Sequence, residues 1–401
     1  MGKSTTKSIE RSVNMFSLFK IIVSGFKMLE DNFTLDLLSK ARVKDEDLGN
    51  EVYRICDKLY SYNIIAFTGS NSSGKTTVLE LLDLCCYFIK KGRWPYFPDP
   101  FSKDKISLHL EFSIDNEIFI YDGVINNKTD ISDNEDFTPY CDIDYEVLKI
   151  AQSSSNITKT NYKDLNYEEI ENKNKNIKDT SILASIEGLD CYKDFVYPYN
   201  TRMYQKRFFD NLSLINEHLL MSIIHLLDES IEYIKYKEDK TILFKRYNSN
   251  EILLSKYGLL SILSNGTIKG IDLYIRTINV LKYGGILIVD EIENCFHKNL
   301  VNNILFLFTD KSININNAKI IFSTHYVEIL DIFNRRDNIF ILHKDNSTIN
   351  VKNMYENYNI RTELLKSKQF NNNIFNTLLN YENLMILKKG IKNEILDNDG
   401  R

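Results

Sequence analysis

Residues 69–76 read Gly69-Ser70-Asn71-Ser72-Ser73-Gly74-Lys75-Thr76, and no other stretch of the chain restricts its fold as tightly. The spacing Gly-x-x-x-x-Gly-Lys-Thr is that of a loop whose backbone amides wrap phosphate oxygens, and such a loop needs a buried strand before it and a helix after it. Both are legible. Residues 63–67 (Asn63-Ile64-Ile65-Ala66-Phe67) form an apolar run with the length of a buried strand. From Lys75 to Lys90, the positions Val78, Leu79, Leu81, Leu82, Cys85, Cys86 and Phe88 suit a largely buried helix. Gly69 and Gly74 permit backbone angles that a side chain would forbid, and amides at a helix N-terminus favour anions. Lys75 is expected to reach the outer phosphates and the Thr76 hydroxyl to ligate Mg²⁺, with Ser70, Asn71, Ser72, Ser73 and Thr77 completing the cradle.

Three further stretches carry chemistry. Residues 286–291 (Ile-Leu-Ile-Val-Asp290-Glu291) set two carboxylates at the end of an apolar strand. Alone, that also describes an ordinary strand with an acidic turn. Beside a phosphate loop it reads as a magnesium–nucleotide site, with Asp290 on the metal and Glu291 polarising the attacking water. Residues 263–267 (Leu263-Ser264-Asn265-Gly266-Thr267) precede a helix, where Ser264 suits an N-cap. Residues 320–325 (Ile-Ile-Phe-Ser-Thr324-His325) deliver a histidine at the carboxyl end of a buried strand. Most histidines so placed are satisfied core or surface residues, and a neutral imidazole can accept or donate a hydrogen bond near neutral pH.

Together these motifs resemble one family. Gly-x-Asn71-x-x-Gly-Lys-Thr is similar to the loops of ABC, SMC and RecF-like ATPases. Asp290-Glu291-Ile292-Glu293-Asn294-Cys295-Phe296-His297 resembles the corresponding stretch of the OLD-like and RecF-like branch. Leu263 to Thr267 resembles its signature peptide, and Phe322-Ser323-Thr324-His325 its switch strand. The resemblance covers residues 16–124 and 240–345. It implies an α/β fold: an ABC-ATPase-type P-loop NTPase core, a mixed sheet flanked by helices, here with a helical middle region. It implies ATP and Mg²⁺ as cofactors, Lys75, Glu291 and His325 as catalytic residues, and Thr76 and Asp290 as metal ligands. The nucleotide would be bound by Gly69, Ser70, Asn71, Ser72, Ser73, Gly74, Lys75, Thr76 and Thr77. Ser264 and Gly266 would close over the γ-phosphate held by a second subunit, which makes a homo-oligomer the expected assembly. His297 is expected to be structural or a dimer contact. The family's glutamine loop has no clear place; Gln152 is a weak candidate. Asn334-Arg335-Arg336-Asp337-Asn338-Ile339-Phe340 and residues 360–370 resemble ATPase subunits of bacterial abortive-infection and phage-defence systems. Too few residues follow His325 for the Toprim nuclease domain of OLD nucleases, so a separate effector, a nuclease or a toxin, is the expected partner.

Composition separates the parts. Only 15 glycines occur, about half the usual frequency, and Gly69, Gly74, Gly266, Gly270, Gly284 and Gly285 fall in or beside the motifs. The expected division is an N-terminal half of the core (1–124), a polar insertion and helical arm (125–240), a C-terminal half (241–345) and a C-terminal extension (346–401). Asn, Lys, Asp, Ser and Thr dominate residues 125–180, which suggests a mobile insertion or a surface helical arm. Leu212, Ile215, Leu219, Ile223, Leu226 and Leu227 recur at helical spacing across 202–236. A net charge of −5 gives no overall basic field, so nucleic acid remains possible only through a local groove. Six scattered cysteines without a CxxC pair indicate buried thiols in a reducing compartment. No signal-peptide pattern and no apolar run of membrane-spanning length is seen, so the expectation is a cytoplasmic protein with no membrane partner. An ATP-driven switch controlling a separate effector is therefore expected, with a DNA-repair or DNA-structure ATPase of RecF or SMC type as the alternative. A transporter ATPase would need a membrane partner and a different signature.

Overall fold

A computed structural model describes residues 15–96, 99–127, 140–153, 156–171, 179–186, 193–196, 215–237, 241–294, 297–345, 347–360, 364–377 and 381–398. In chain order the strands and helices begin with β1 (Phe16–Ser24), β2 (Phe33–Asp36), β3 (Val52–Cys56), β4 (Leu59–Tyr62), β5 (Ile64–Gly69) and α1 (Lys75–Lys91). They continue with β6 (Lys105–Ile114), β7 (Glu117–Asn126), β8 (Asp142–Gln152), β9 (Glu168–Glu171), β10 (Lys193–Val196), α2 (Glu217–Leu227), β11 (Ile231–Tyr236), β12 (Ile242–Arg246) and β13 (Ile252–Leu254). Then follow α3 (Lys256–Ile262), α4 (Asn265–Tyr283), β14 (Ile286–Val289), α5 (Lys298–Thr309), β15 (Lys319–Ser323), β16 (Ile339–Asp345), β17 (Thr348–Asn353), α6 (Lys366–Asn371) and α7 (Tyr381–Asn398).

Among the described residues, two six-stranded sheets organise these elements. The inner one runs β10-β14-β15-β5-β16-β17, parallel except for the β16–β17 pair. The outer one runs β2-β1-β6-β7-β8-β9 and is antiparallel throughout. Parallel strands buried on both faces read as continuous apolar runs, which is why Ile286-Leu287-Ile288-Val289 is buried at every position. Its side chains alternate between two cores. Ile286 and Ile288 pack with α1 and the outer sheet, while Leu287 and Val289 pack with α2, α4 and α5. The layer between the sheets is thus α1, buried through Val78, Leu79, Leu81, Leu82, Cys85, Cys86, Phe88 and Ile89. Gly92 ends that helix in the left-handed region at φ 63°, its N–H closing on the Phe88 carbonyl. The fold is a mixed α/β P-loop NTPase core.

The middle of the chain departs from its composition. The expected helical middle is corrected to a mainly strand-forming one among the described residues. β8 lies inside 125–180 and pairs with β7 along its length, and β9 pairs with β8 in turn. Among the described residues of 202–236, Glu217–Leu227 is helix and Ile231–Tyr236 is a strand in a small sheet β11-β12-β13; residues 202–214, Leu212 among them, lie outside the described residues. The reading failed because polar residues here find partners far along the chain. Glu146 on β8 is buried and accepts hydrogen bonds from Ser181 Oγ at 2.6 Å, Ile182 N at 3.0 Å and Tyr121 OH at 3.2 Å. Such a carboxylate is costly to bury unpaired and tolerated when its lone pairs are filled.

A second cluster ties this region to the outer sheet. Glu111 on β6 is fully buried and meets Lys163 Nζ and His109 Nε2 at 3.0 Å each, with Tyr162 also donating to it. His109 Nδ1 lies 2.7 Å from Asp122. Burial opposes the charged form of His109, but the bonds to Asp122 and Glu111 outweigh it and raise its pKa to about 9. Burial likewise opposes ionised Glu111, yet its partners, His109 first, hold it down to about 2. His109, with a raised folded pKa, contributes stability that is complete below its ordinary value of 6.5 and is lost as pH rises through about 9. Glu111, with a depressed one, contributes above 4.5 and loses its contribution as pH falls towards 2. In thermal melts, His109→Gln is expected to be less stable than wild type at mildly acidic pH, with the gap closing above pH 9. A gap independent of pH would show that the imidazolium is not part of the lock.

The stretch Asn334 to Asn338 is a buckle. Arg335 is buried and donates to Asp337 at 2.9 and 2.7 Å, to Asp47 at 2.7 Å and to Ser39 Oγ at 2.9 Å. Asp337 also accepts from the backbone N–H groups of Lys40 and Ala41. Glu51 takes the N–H groups of Asn334 and Arg335. The segment before β5 is thereby fastened to the segment entering β16. Among the described residues no helix is long and apolar enough to cross a membrane.

Candidate active site

β5 and β16 run side by side with Gly69 opposite Leu342. A Cβ on Gly69 would lie 2.5 Å from the Leu342 carbonyl oxygen, and one on Gly74 (φ 98°) would lie 2.5 Å from Ile349. The two glycines let the loop turn tightly over the end of the sheet. Within it Lys75 is buried, and its ammonium donates to the carbonyls of Gly69 at 3.1 Å and Ser70 at 2.9 Å. Burial lowers its pKa to about 8, with Asp290, Glu293 and Glu291 opposing that shift. Ser73 Oγ is buried with no partner among the described residues. An orphaned buried hydroxyl and a desolvated ammonium in one loop fit a phosphate group.

The acidic strand end meets this loop. Thr76 Oγ1 donates to Asp290 Oδ2 at 2.7 Å across 214 residues of chain. Ser323 at the end of β15 donates to the other Asp290 oxygen and accepts the Glu291 N–H at 2.7 Å. Glu291 sits at φ 49°, an uncommon region for a residue with a side chain and one that recurs at functional turns. Its carboxylate is 3.8 Å from His325 Nε2. Burial and then the Lys75 charge lower the His325 pKa, so the imidazole is neutral at neutral pH. Hydroxyl and carboxylate oxygens are the donors that magnesium accepts, so Thr76 and Asp290 would hold the ion. It would supply charge neutralisation at the outer phosphates.

Sequence reasoning thus named a loop, a carboxylate pair and a histidine that the fold brings together. It missed Ser323, which bridges Asp290 and Glu291; its place in Phe322-Ser323-Thr324-His325 was the available signal. It also missed the C-terminal wall. A cleft of about 270 Å³ lies between Gly69, Ser70, Asn71 and His325 on one side and Phe370, Asn371 and Thr377 on the other. Asn71 and Ser72 are exposed. Ser264 is exposed and caps α4, accepting the Thr267 N–H at 3.0 Å. Gly266 lies in the first turn of that helix. His297 caps α5 through its ring nitrogen, a structural role. Gln152 is exposed at the end of β8, where it donates to Glu117. Cys56, Cys85, Cys86 and Cys141 are buried free thiols, while Cys191 and Cys295 lie outside the described residues.

The family described as AAA domain, putative AbiEii toxin, Type IV TA system matches residues 64–331, more than half of the chain. The chain belongs to this family. The AAA-domain match begins on β5, includes the phosphate loop, Ser264, Asp290, Glu291 and His325, and ends before Arg335. It identifies an ABC-like AAA ATPase of the abortive-infection type. No curated protein matches the chain.

Proposed function

We propose that the protein hydrolyses ATP and uses it as a switch, two copies closing around the nucleotide to control a separate effector, a nuclease or a toxin, in antiviral defence. The observation that carries this reading is the meeting of Thr76, in the first turn of α1, with Asp290, Glu291, Ser323 and His325 at the carboxyl ends of the neighbouring parallel strands β14 and β15. Lys75 and the loop amides bind the outer phosphates. Asp290 and Thr76 hold magnesium. Glu291 takes a proton from the attacking water, and His325, neutral beside it, hydrogen-bonds at the γ-phosphate end.

Ser264 supports a second copy. It stands exposed at the N-terminus of a 19-residue helix, the end where amides and the helix dipole favour anions. A phosphate held by another subunit satisfies that end. With Mg²⁺ and ATP, Glu291→Gln protein is expected to shift from monomer to dimer in light-scattering chromatography. Adding Ser264→Arg is expected to abolish the shift while fluorescent-ATP binding persists. Association that ignores ATP, or that survives Ser264→Arg, counts against the paired-subunit reading.

A further inference from the structure

Resting on the ATPase reading above, we propose that Glu293 is a positioning residue that sets His325 in place at the phosphate end of the cleft. The His325 backbone N–H donates to Glu293 Oε1 at 2.6 Å. A hydrogen bond to a carboxylate is shorter and stronger than a neutral one, so it fixes the backbone from which the imidazole projects. The turn bearing Glu293 is itself tied to β15: Glu291 N–H reaches Ser323 Oγ at 2.7 Å, and Ile292 N–H reaches the Ser323 carbonyl at 3.1 Å. Asn294 N–H closes on the Glu291 carbonyl at 2.8 Å. Metal-binding Asp290, the base Glu291 and the histidine therefore sit on one braced unit, and Glu293 is its link to His325.

Glu293 Oε2 is buried with no partner among the described residues, which is costly for a carboxylate. Its charge also favours the charged forms of Lys75 and His325, an effect separate from the bond that places the His325 backbone. Position and charge are separable by substitution. Glu293→Gln keeps a side-chain oxygen for the His325 N–H and loses the charge. Glu293→Asp keeps the charge, but its shorter arm leaves the N–H out of reach.

The test measures kcat and KM for ATP, together with hydrogen exchange at the His325 amide in nucleotide-free protein. Glu293→Asp and Glu293→Ala are expected to lower kcat about tenfold, with KM changed by less than about threefold because Lys75 and the loop still bind the phosphates. Both are expected to speed exchange of the His325 amide. Glu293→Gln is expected to retain most of the rate and the protection. Glu293→Ala combined with His325→Ala is expected to be no slower than His325→Ala alone, the signature of residues that act together. The reverse order, with aspartate active and glutamine inactive, overturns the proposal, as does amide exchange unchanged in Glu293→Asp. If wild type shows no turnover, the ATPase reading fails instead, and the amide exchange still decides whether Glu293 places His325.

Discussion

Glu291→Gln is expected to lower ATP turnover by about 10²- to 10⁴-fold, the range that general-base catalysis supplies. The amide has the shape of the carboxylate but cannot accept a proton from water. The geometry separates this loss from a loss of binding. Lys75 reaches its loop carbonyls, and Thr76 bonds Asp290, without help from the Glu291 side chain. The backbone at Glu291 is held by its N–H to Ser323, a bond the substitution leaves intact. Phosphate release should therefore collapse while fluorescent-ATP affinity stays near that of wild type. Normal turnover in Glu291→Gln removes this residue from the base role. If His325→Ala is then inactive, the role passes to the imidazole 3.8 Å away.

Arg335→Ala is expected to destabilise the protein by about 3–5 kcal/mol, the cost of breaking a buried ion pair by removing one partner. Arg335 is 7% exposed and Asp337 wholly buried. Burial alone would raise the Asp337 pKa, but the guanidinium and the Lys40 and Ala41 amides hold it below the ordinary carboxylate value. Alanine leaves that carboxylate, and Asp47, without the cation between them. Because the folded pKa of Asp337 is depressed, its contribution is present above the ordinary value of 3.8 and is lost as pH falls through the folded value. Arg335→Lys should recover little, since an ammonium cannot reproduce the fork that spans Asp337, Asp47 and Ser39. Urea unfolding at neutral pH reads the effect; a loss below about 1 kcal/mol, the scale of an exposed ion pair, would deny the buckle its structural role. The text Asn334 to Asn338, which resembles the defence-type branch, thus has a physical function apart from chemistry.

The sequence by itself determined the strand–loop–helix around Lys75, the apolar strands that end in Asp290 and in His325, and the helix that Ser264 caps. Each is a local code: two glycines that tolerate special backbone angles, apolar runs of strand length, or helical spacing over a few turns. Only the tertiary structure decided which strands are neighbours. The order β14-β15-β5 brings Asp290 to Thr76 and sets Ser323 between the Asp290 carboxylate and the Glu291 N–H, placements fixed by main-chain ladders that leave no mark on the intervening residues. It also decided that the polar stretch after residue 125 joins a sheet, because Glu146 and Glu111 find donors distant in sequence. The cleft wall at Phe370, Asn371 and Thr377 has the same origin. Ser367 on α6 bonds Asp331, fastening the C-terminal residues beside the histidine they could not have been matched to by spacing.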